Sequence, residues 1–195
     1  MAILGDPGTG KTFLAERLAS YYDNVIYFDV SGFLKPQVEK FYKTDDLKKV
    51  VGRKGHTLVF PKPNQQNKVA YNWFFDQVYK KNKDTVIIVD EAFLVGKMHS
   101  MTYPDRLMTL IVTGRKKGLS PWIIVQRPKY TPDQLFAEAK EWFIFPIPGV
   151  DLKRLSGHIP EEAIDAVEQL PYDHSFIHVY REENGMKQFE HMPPI

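Results

Sequence analysis

Apolar positions along the chain gather into short runs, each ending in a polar or glycine-rich turn and followed by a stretch of helical spacing. That alternation predicts an α/β fold. A strand buried on both faces reads as a continuous apolar run, while a covering helix repeats its apolar residues every three or four positions. The runs predict strands at 2–4, 25–29, 57–60, 85–90, 122–126, 142–146 and 175–181. Helical spacing appears in Leu14, Leu18, Tyr21 and Tyr22, and again in Leu107, Leu110, Ile111 and Gly114. Further helices are expected up to Lys80 and Lys81 and, late in the chain, at 151–155 and 161–170. Segment 175–192 carries Glu183, Asn184 and Gly185 at its middle and reads as a β-hairpin on the sheet edge.

Composition narrows the picture. The 195 residues suit a single domain, 1–195, with a core of its own. A hydrophobic fraction of 43% with 26% charged residues is ordinary for a soluble globular protein and suggests neither a disordered nor a membrane-embedded class. The net charge of +2 neither demands nor forbids a nucleic-acid partner. With no cysteine there is no disulfide framework and no thiolate metal site, which fits a reducing, cytoplasmic setting. The apolar runs at 85–89 and 107–112 fall far short of the ~20 residues that span a bilayer, so no membrane insertion is expected.

Chemistry enters with Gly5-Asp6-Pro7-Gly8-Thr9-Gly10-Lys11-Thr12, which follows an apolar run and precedes an amphipathic one. This is the Walker A pattern of a phosphate-binding loop. Glycines let the backbone wrap phosphate oxygens where a β-carbon would clash, and the N–H groups then point inward. Lys11 is placed to reach the β- and γ-phosphates, and the Thr12 hydroxyl to ligate Mg2+. Phe13, on the next turn, completes the expected nucleotide-binding set. The run 85–89 ends in Asp90 and Glu91, as a Walker B strand presents its acids. Asp90 is expected in the magnesium shell, with Glu91 polarising the attacking water. The extra strand at 57–60, between the two motifs, points to a RecA-like core with a catalytic glutamate and a mostly parallel sheet flanked by helices.

A third segment runs Thr113-Gly114-Arg115-Lys116-Lys117-Gly118, then the apolar 121–125, then Gln126-Arg127-Pro128. It resembles the GR-x-x-G, strand, Q-R-P run of the FtsK/HerA superfamily of DNA-pumping ATPases. The resemblance implies that Gln126 senses the γ-phosphate and that Arg115 is a finger reaching the neighbouring subunit's nucleotide, with Arg127 and Arg106 as rivals. It further implies ATP as the nucleotide, double-stranded DNA as the substrate, and a homo-oligomeric ring, a hexamer or a pentamer. With Walker A starting at Gly5, the chain is most similar within that superfamily to the small genome-packaging ATPases of tailless icosahedral viruses with an internal membrane. Capsid or portal-vertex proteins are then further partners, and association with the virion is a second location. Two other readings stand beside it: a AAA+ type ATPase that remodels protein, suggested by Gly-x-Pro-Gly-Thr-Gly-Lys-Thr followed by Phe13, Leu14 and Ala15, and a nucleotide-dependent assembly switch.

Two basic clusters are candidates for gripping DNA backbone: Lys48, Lys49, Arg53 and Lys54 around a glycine turn, and Lys80, Lys81 and Lys83 at a helix end, where the dipole also favours lysine. Phe33, Phe41, Trp73, Phe74, Phe75 and Trp142 read as core or interface aromatics. The histidines show no metal-ligand spacing.

Overall fold

The computed structural model describes residues 1–95 and 104–195. Nine strands form a single sheet: β1 (Ala2–Leu4), β2 (Val25–Phe28), β3 (Tyr42–Thr44), β4 (His56–Val59), β5 (Thr85–Val89), β6 (Leu119–Val125), β7 (Glu141–Ile144), β8 (Phe176–Arg181) and β9 (Lys187–Met192). Their spatial order is β3-β4-β2-β5-β6-β1-β7-β8-β9. The first seven run parallel, while β8 and β9 are antiparallel, so the expected hairpin closes one edge. Its turn is set by Gly185, at φ 87, with Glu182 N–H donating to the Met186 carbonyl at 2.8 Å.

The helices are α1 (Lys11–Ala19), α2 (Lys68–Lys81), α3 (Ala92–Val95), α4 (Asp105–Thr113), α5 (Asp133–Glu138), α6 (Gly149–Leu152) and α7 (Glu161–Glu168). Strand alternation divides the core between the two faces of the sheet. Ala2 and Leu4 of β1 pack with α2, α4, α5 and α7, whereas Ile3 faces α1 with Leu14, Ala15 and Ala19. On the first face, Phe28 lies 5.3 Å from Tyr71, 5.2 Å from Phe74 and 5.1 Å from Phe75, ring centre to ring centre. Each such aromatic pair adds about 1 kcal/mol beyond its buried area, which pins α2 over β2.

Every predicted strand is present, β1 at its expected bounds and the others with shifted ends. β6 starts at Leu119 and so contains Pro121, although it is a central strand. The proline is tolerated because the Ile123 N–H, on the same side of the strand, already reaches Met1 at the very start of β1. The missing N–H of Pro121 therefore faces no ladder. The short β3 was not expected from the sequence, since Tyr42–Thr44 is only partly buried at the sheet edge and has no apolar run.

Candidate functional site

In a parallel sheet all strand ends point one way, and here the loops leaving β1, β2, β5 and β6 meet at the carboxyl edge. Together they line a cleft of about 390 Å³ formed by Pro7, Gly8, Gly10, Lys11, Thr12, Phe13, Phe33, Asp90, Glu91 and Gln126. Four segments, at 7–13, 33, 90–91 and 126, thus share one cavity. The inserted strand β6 separates β1 from β5 and sets Gln126 between the phosphate loop and the two acids.

The loop after β1 is held tightly. A β-carbon at Gly5 would lie 2.6 Å from Phe145 Cβ and 2.7 Å from Thr9 Oγ1, so only glycine fits. Gly10 takes φ 105, a left-handed value, as it leads into α1. Asp6 N–H donates to the Pro146 carbonyl at 2.9 Å, and the Asp6 carbonyl accepts from Thr9 Oγ1 at 2.8 Å and from Lys11 Nζ at 2.6 Å. No side chain caps α1 and no acid sits in its first turn. Its first amides and the positive end of its dipole are therefore left for an anion.

Charge in the cleft is finely balanced. Burial lowers the Lys11 pKa to about 8, against the pull of Glu91, Asp90 and Asp6. Burial and the neighbouring Asp90 raise Glu91 to about 7, opposed by Lys11. Asp90, only 2% exposed, is also raised, first by burial. Glu91 further holds a left-handed φ of 47, an uncommon backbone for a residue with a side chain and one that recurs at functional sites. Asp90 Oδ1 and Glu91 Oε2 are buried with no hydrogen-bond partner among the described residues. The free Asp90 oxygen, in the same cleft as Thr12, fits Mg2+, a hard cation that takes one or two protein oxygens and completes its shell with phosphate and water. No group of three or more acidic, histidine or cysteine side chains among the described residues offers an all-protein metal cage.

The sequence reading passed over Asp29, Ser31 and Glu16. Asp29, 2% exposed at the end of β2, accepts the N–H groups of Ser31 at 3.0 Å, Gly32 at 2.6 Å and Leu34 at 3.1 Å. Ser31 Oγ lies 2.7 Å from Asp90 Oδ2 and ties this turn to the Walker B acid. Glu16 of α1 accepts from Lys35 N–H and from Gln37 Nε2, holding the far end of the same loop. Phe33, read as a core or interface aromatic, is not in the core: it is 71% exposed on the cleft rim. The one available signal was that Asp29 ends an apolar run just as Asp90 does.

Arg115 stands apart. It is exposed at the amino end of β6 and lines a different cavity, of about 450 Å³, together with Glu138 and Glu141. Seven residues of β6, about 23 Å of extended chain, separate it from Gln126. Arg127 pairs at 3.3 Å with Asp151, which is fully buried and also accepts Lys129 N–H at 3.0 Å. Arg106 lies 3.6 Å from Asp76, which also pairs with Lys80 at 2.6 Å. Both rival arginines thus have partners within the chain. The two basic clusters meet at the amino edge. Gly52 N–H donates to Asn82 Oδ1 at 2.9 Å, and the Arg53 guanidinium stacks 3.6 Å over Tyr42.

Comparison with solved structures places this geometry. The genome-packaging NTPase B204 from Sulfolobus turreted icosahedral virus 2, in complex with ATP-gammaS, superposes with a TM-score of 0.79 at 20% identity, over all of this chain and 96% of that one. VirB4 of Thermoanaerobacter pseudethanolicus gives 0.72 at 12% identity, over all of this chain and 88% of its own. The N-terminal domain of zonular occludens toxin from Neisseria meningitidis gives 0.51 at 13%, covering 98% and 93%. At these identities the likeness is one of fold, the α/β core that the apolar runs and nucleotide motifs had implied. No curated protein matches the sequence. The AAA domain family matches residues 1–130, two thirds of the chain, which takes in the phosphate loop, both acids and Gln126. The chain therefore belongs to the AAA domain family and is a P-loop NTPase.

Proposed function

We propose that the chain is an ATP-driven double-stranded DNA translocase, a viral genome-packaging motor working as a homo-oligomeric ring, with residues 1–195 as its single ATPase domain. The observation that carries the NTPase chemistry is the convergence of Lys11, Thr12, Asp90, Glu91 and Gln126 on one cleft, with two buried carboxylate oxygens left unpartnered. The amides of residues 8–12 and the Lys11 ammonium hold the β- and γ-phosphates of ATP. Glu91, with a pKa of about 7, is poised to take a proton from the attacking water at neutral pH. Gln126 donates a hydrogen bond toward the γ-phosphate. Thr12 and Asp90 would hold Mg2+, which would supply positive charge to offset that of the phosphate oxygens. Arg115, remote from its own cleft and without an ion pair among the described residues, is assigned as the finger given to a neighbouring subunit, a contribution of roughly 10³ to 10⁵ in rate.

The packaging role rests on the fold likeness to B204 across the whole chain. It implies a hexameric or pentameric ring in the host-cell interior, with capsid or portal-vertex proteins as partners. None of the described helices is long and apolar enough to cross a membrane. The AAA domain match favours a second reading, remodelling of a protein substrate.

One experiment separates them: the ATPase rate against protein concentration, with and without double-stranded DNA, for the parent chain and for Glu91→Gln and Arg115→Ala. A packaging motor turns over cooperatively with concentration, is stimulated by DNA, and is silenced by either substitution. Turnover indifferent to DNA overturns the translocase in favour of remodelling.

A further inference from the structure

The phosphate-binding residues do not say where the nucleoside lies, but the order of strands does. Glu91 follows β5 and Gln126 follows β6, both on one side of β1. A nucleotide whose γ-phosphate sits between them sends its α-phosphate and nucleoside toward the other side, over β7 and β8. Because β8 is antiparallel, the turn that precedes it arrives at the same carboxyl edge as the cleft. That turn holds Tyr172, Asp173 and His174.

Tyr172 bonds the phosphate loop, and His174 lies beside it. The Tyr172 hydroxyl donates to Asp6 Oδ2 at 3.0 Å, while 71% of the residue stays exposed. His174 Nδ1 lies 3.5 Å from the position a β-carbon would take on Gly10, the residue that opens α1. His174 holds φ 73, so the turn is kept in a left-handed backbone that a residue with a side chain seldom adopts. The turn is fixed by Ser175 N–H donating to Asp173 Oδ1 at 3.0 Å. Phe13, also exposed at 44%, stands on the first turn of α1. An exposed tyrosine anchored by its own hydroxyl has a fixed ring with a free face, which is the form of a stacking platform for a planar base.

We propose that the 172–174 turn is the nucleobase subsite of the cleft, with Tyr172 as the platform for the purine ring and His174 as its polar neighbour. The proposal rests on the ATPase reading. It is tested by measuring binding of ATP and of inorganic tripolyphosphate to the parent chain and to Tyr172→Ala, Tyr172→Phe, His174→Ala and Lys11→Ala. Tyr172→Ala is expected to weaken ATP about 10- to 100-fold with tripolyphosphate unchanged, and Tyr172→Phe to keep most of the affinity. His174→Ala is expected to narrow the preference for ATP over GTP and to leave tripolyphosphate alone. ATP binding untouched by Tyr172→Ala, or ATP and tripolyphosphate lost together, overturns the subsite. Lys11→Ala binding both ligands as the parent does would instead sink the ATPase reading itself.

Discussion

Glu91→Gln removes the charge from a carboxyl that the fold holds protonated up to about pH 7, against an ordinary 4.5. Between those values the folded state binds more protons than the unfolded chain, so this group makes stability fall as pH rises, and the loss is complete above pH 7. At 1.36 kcal/mol for each tenfold change in acidity, the difference of 7 − 4.5 amounts to about 3 kcal/mol. Glutamine has nearly the same shape, keeps the same left-handed backbone at φ 47, and carries no charge to desolvate. The variant is therefore expected to be more stable than the parent by about 3 kcal/mol at pH 7.5 and by about 1 kcal/mol at pH 5. The comparison goes no higher than pH 7.5, where Lys11, with a pKa of about 8, is still largely protonated. Urea unfolding at the two pH values, in nucleotide-free and magnesium-free buffer, reads this directly, and turnover of the same variant is expected to be abolished. An advantage equal at both pH values would refute the electrostatic origin and leave packing as the cause.

Other expectations follow from the same site. In the free enzyme kcat/KM is expected to rise through about pH 7 as Glu91 ionises and to fall above about pH 8 as Lys11 loses its proton, a narrow bell that Glu91→Asp should shift on its acid limb only. Arg127→Ala strips the fully buried Asp151 of its cation but leaves the Lys129 N–H bond, so a loss of about 1–3 kcal/mol in unfolding free energy is expected with ATP affinity intact. A catalytic loss at unchanged stability would instead return Arg127 to the finger role. Charge reversal at Arg53 and Lys54 together is expected to weaken DNA binding and flatten its salt dependence while sparing basal ATPase; equal losses in both would point to the amino-edge packing around Asn82 and Tyr42.

The α/β class and the two nucleotide motifs were legible in the sequence because both depend on local order. A phosphate loop needs its glycines, lysine and threonine at fixed offsets, and a Walker B strand needs its acids directly after an apolar run. Asp29 obeyed the same local rule, yet its part in the site was invisible. Its meaning comes from Ser31, 2.7 Å from Asp90 although 59 residues away in sequence. Phe33 likewise read only as core or interface, since burial of an aromatic in a loop depends on neighbours that periodicity does not reveal.

The sequence by itself supplied the elements on which the proposed chemistry rests: a glycine-rich loop with its lysine and threonine, two acids at a strand end, and a glutamine at another strand end. Tertiary structure decided the rest. Only the order of strands shows that β6 inserts Gln126 between the two motifs and that Arg115 lies a strand's length from its own cleft. Only the reversal of β8 carries Tyr172, 166 residues downstream of Asp6, to within hydrogen-bond distance of the phosphate loop. The physical reason is the same in each case. Offsets along a helix or strand are fixed by backbone geometry within a few residues, while neighbourhood across a sheet is fixed by which apolar faces bury one another, and that choice belongs to the whole chain at once.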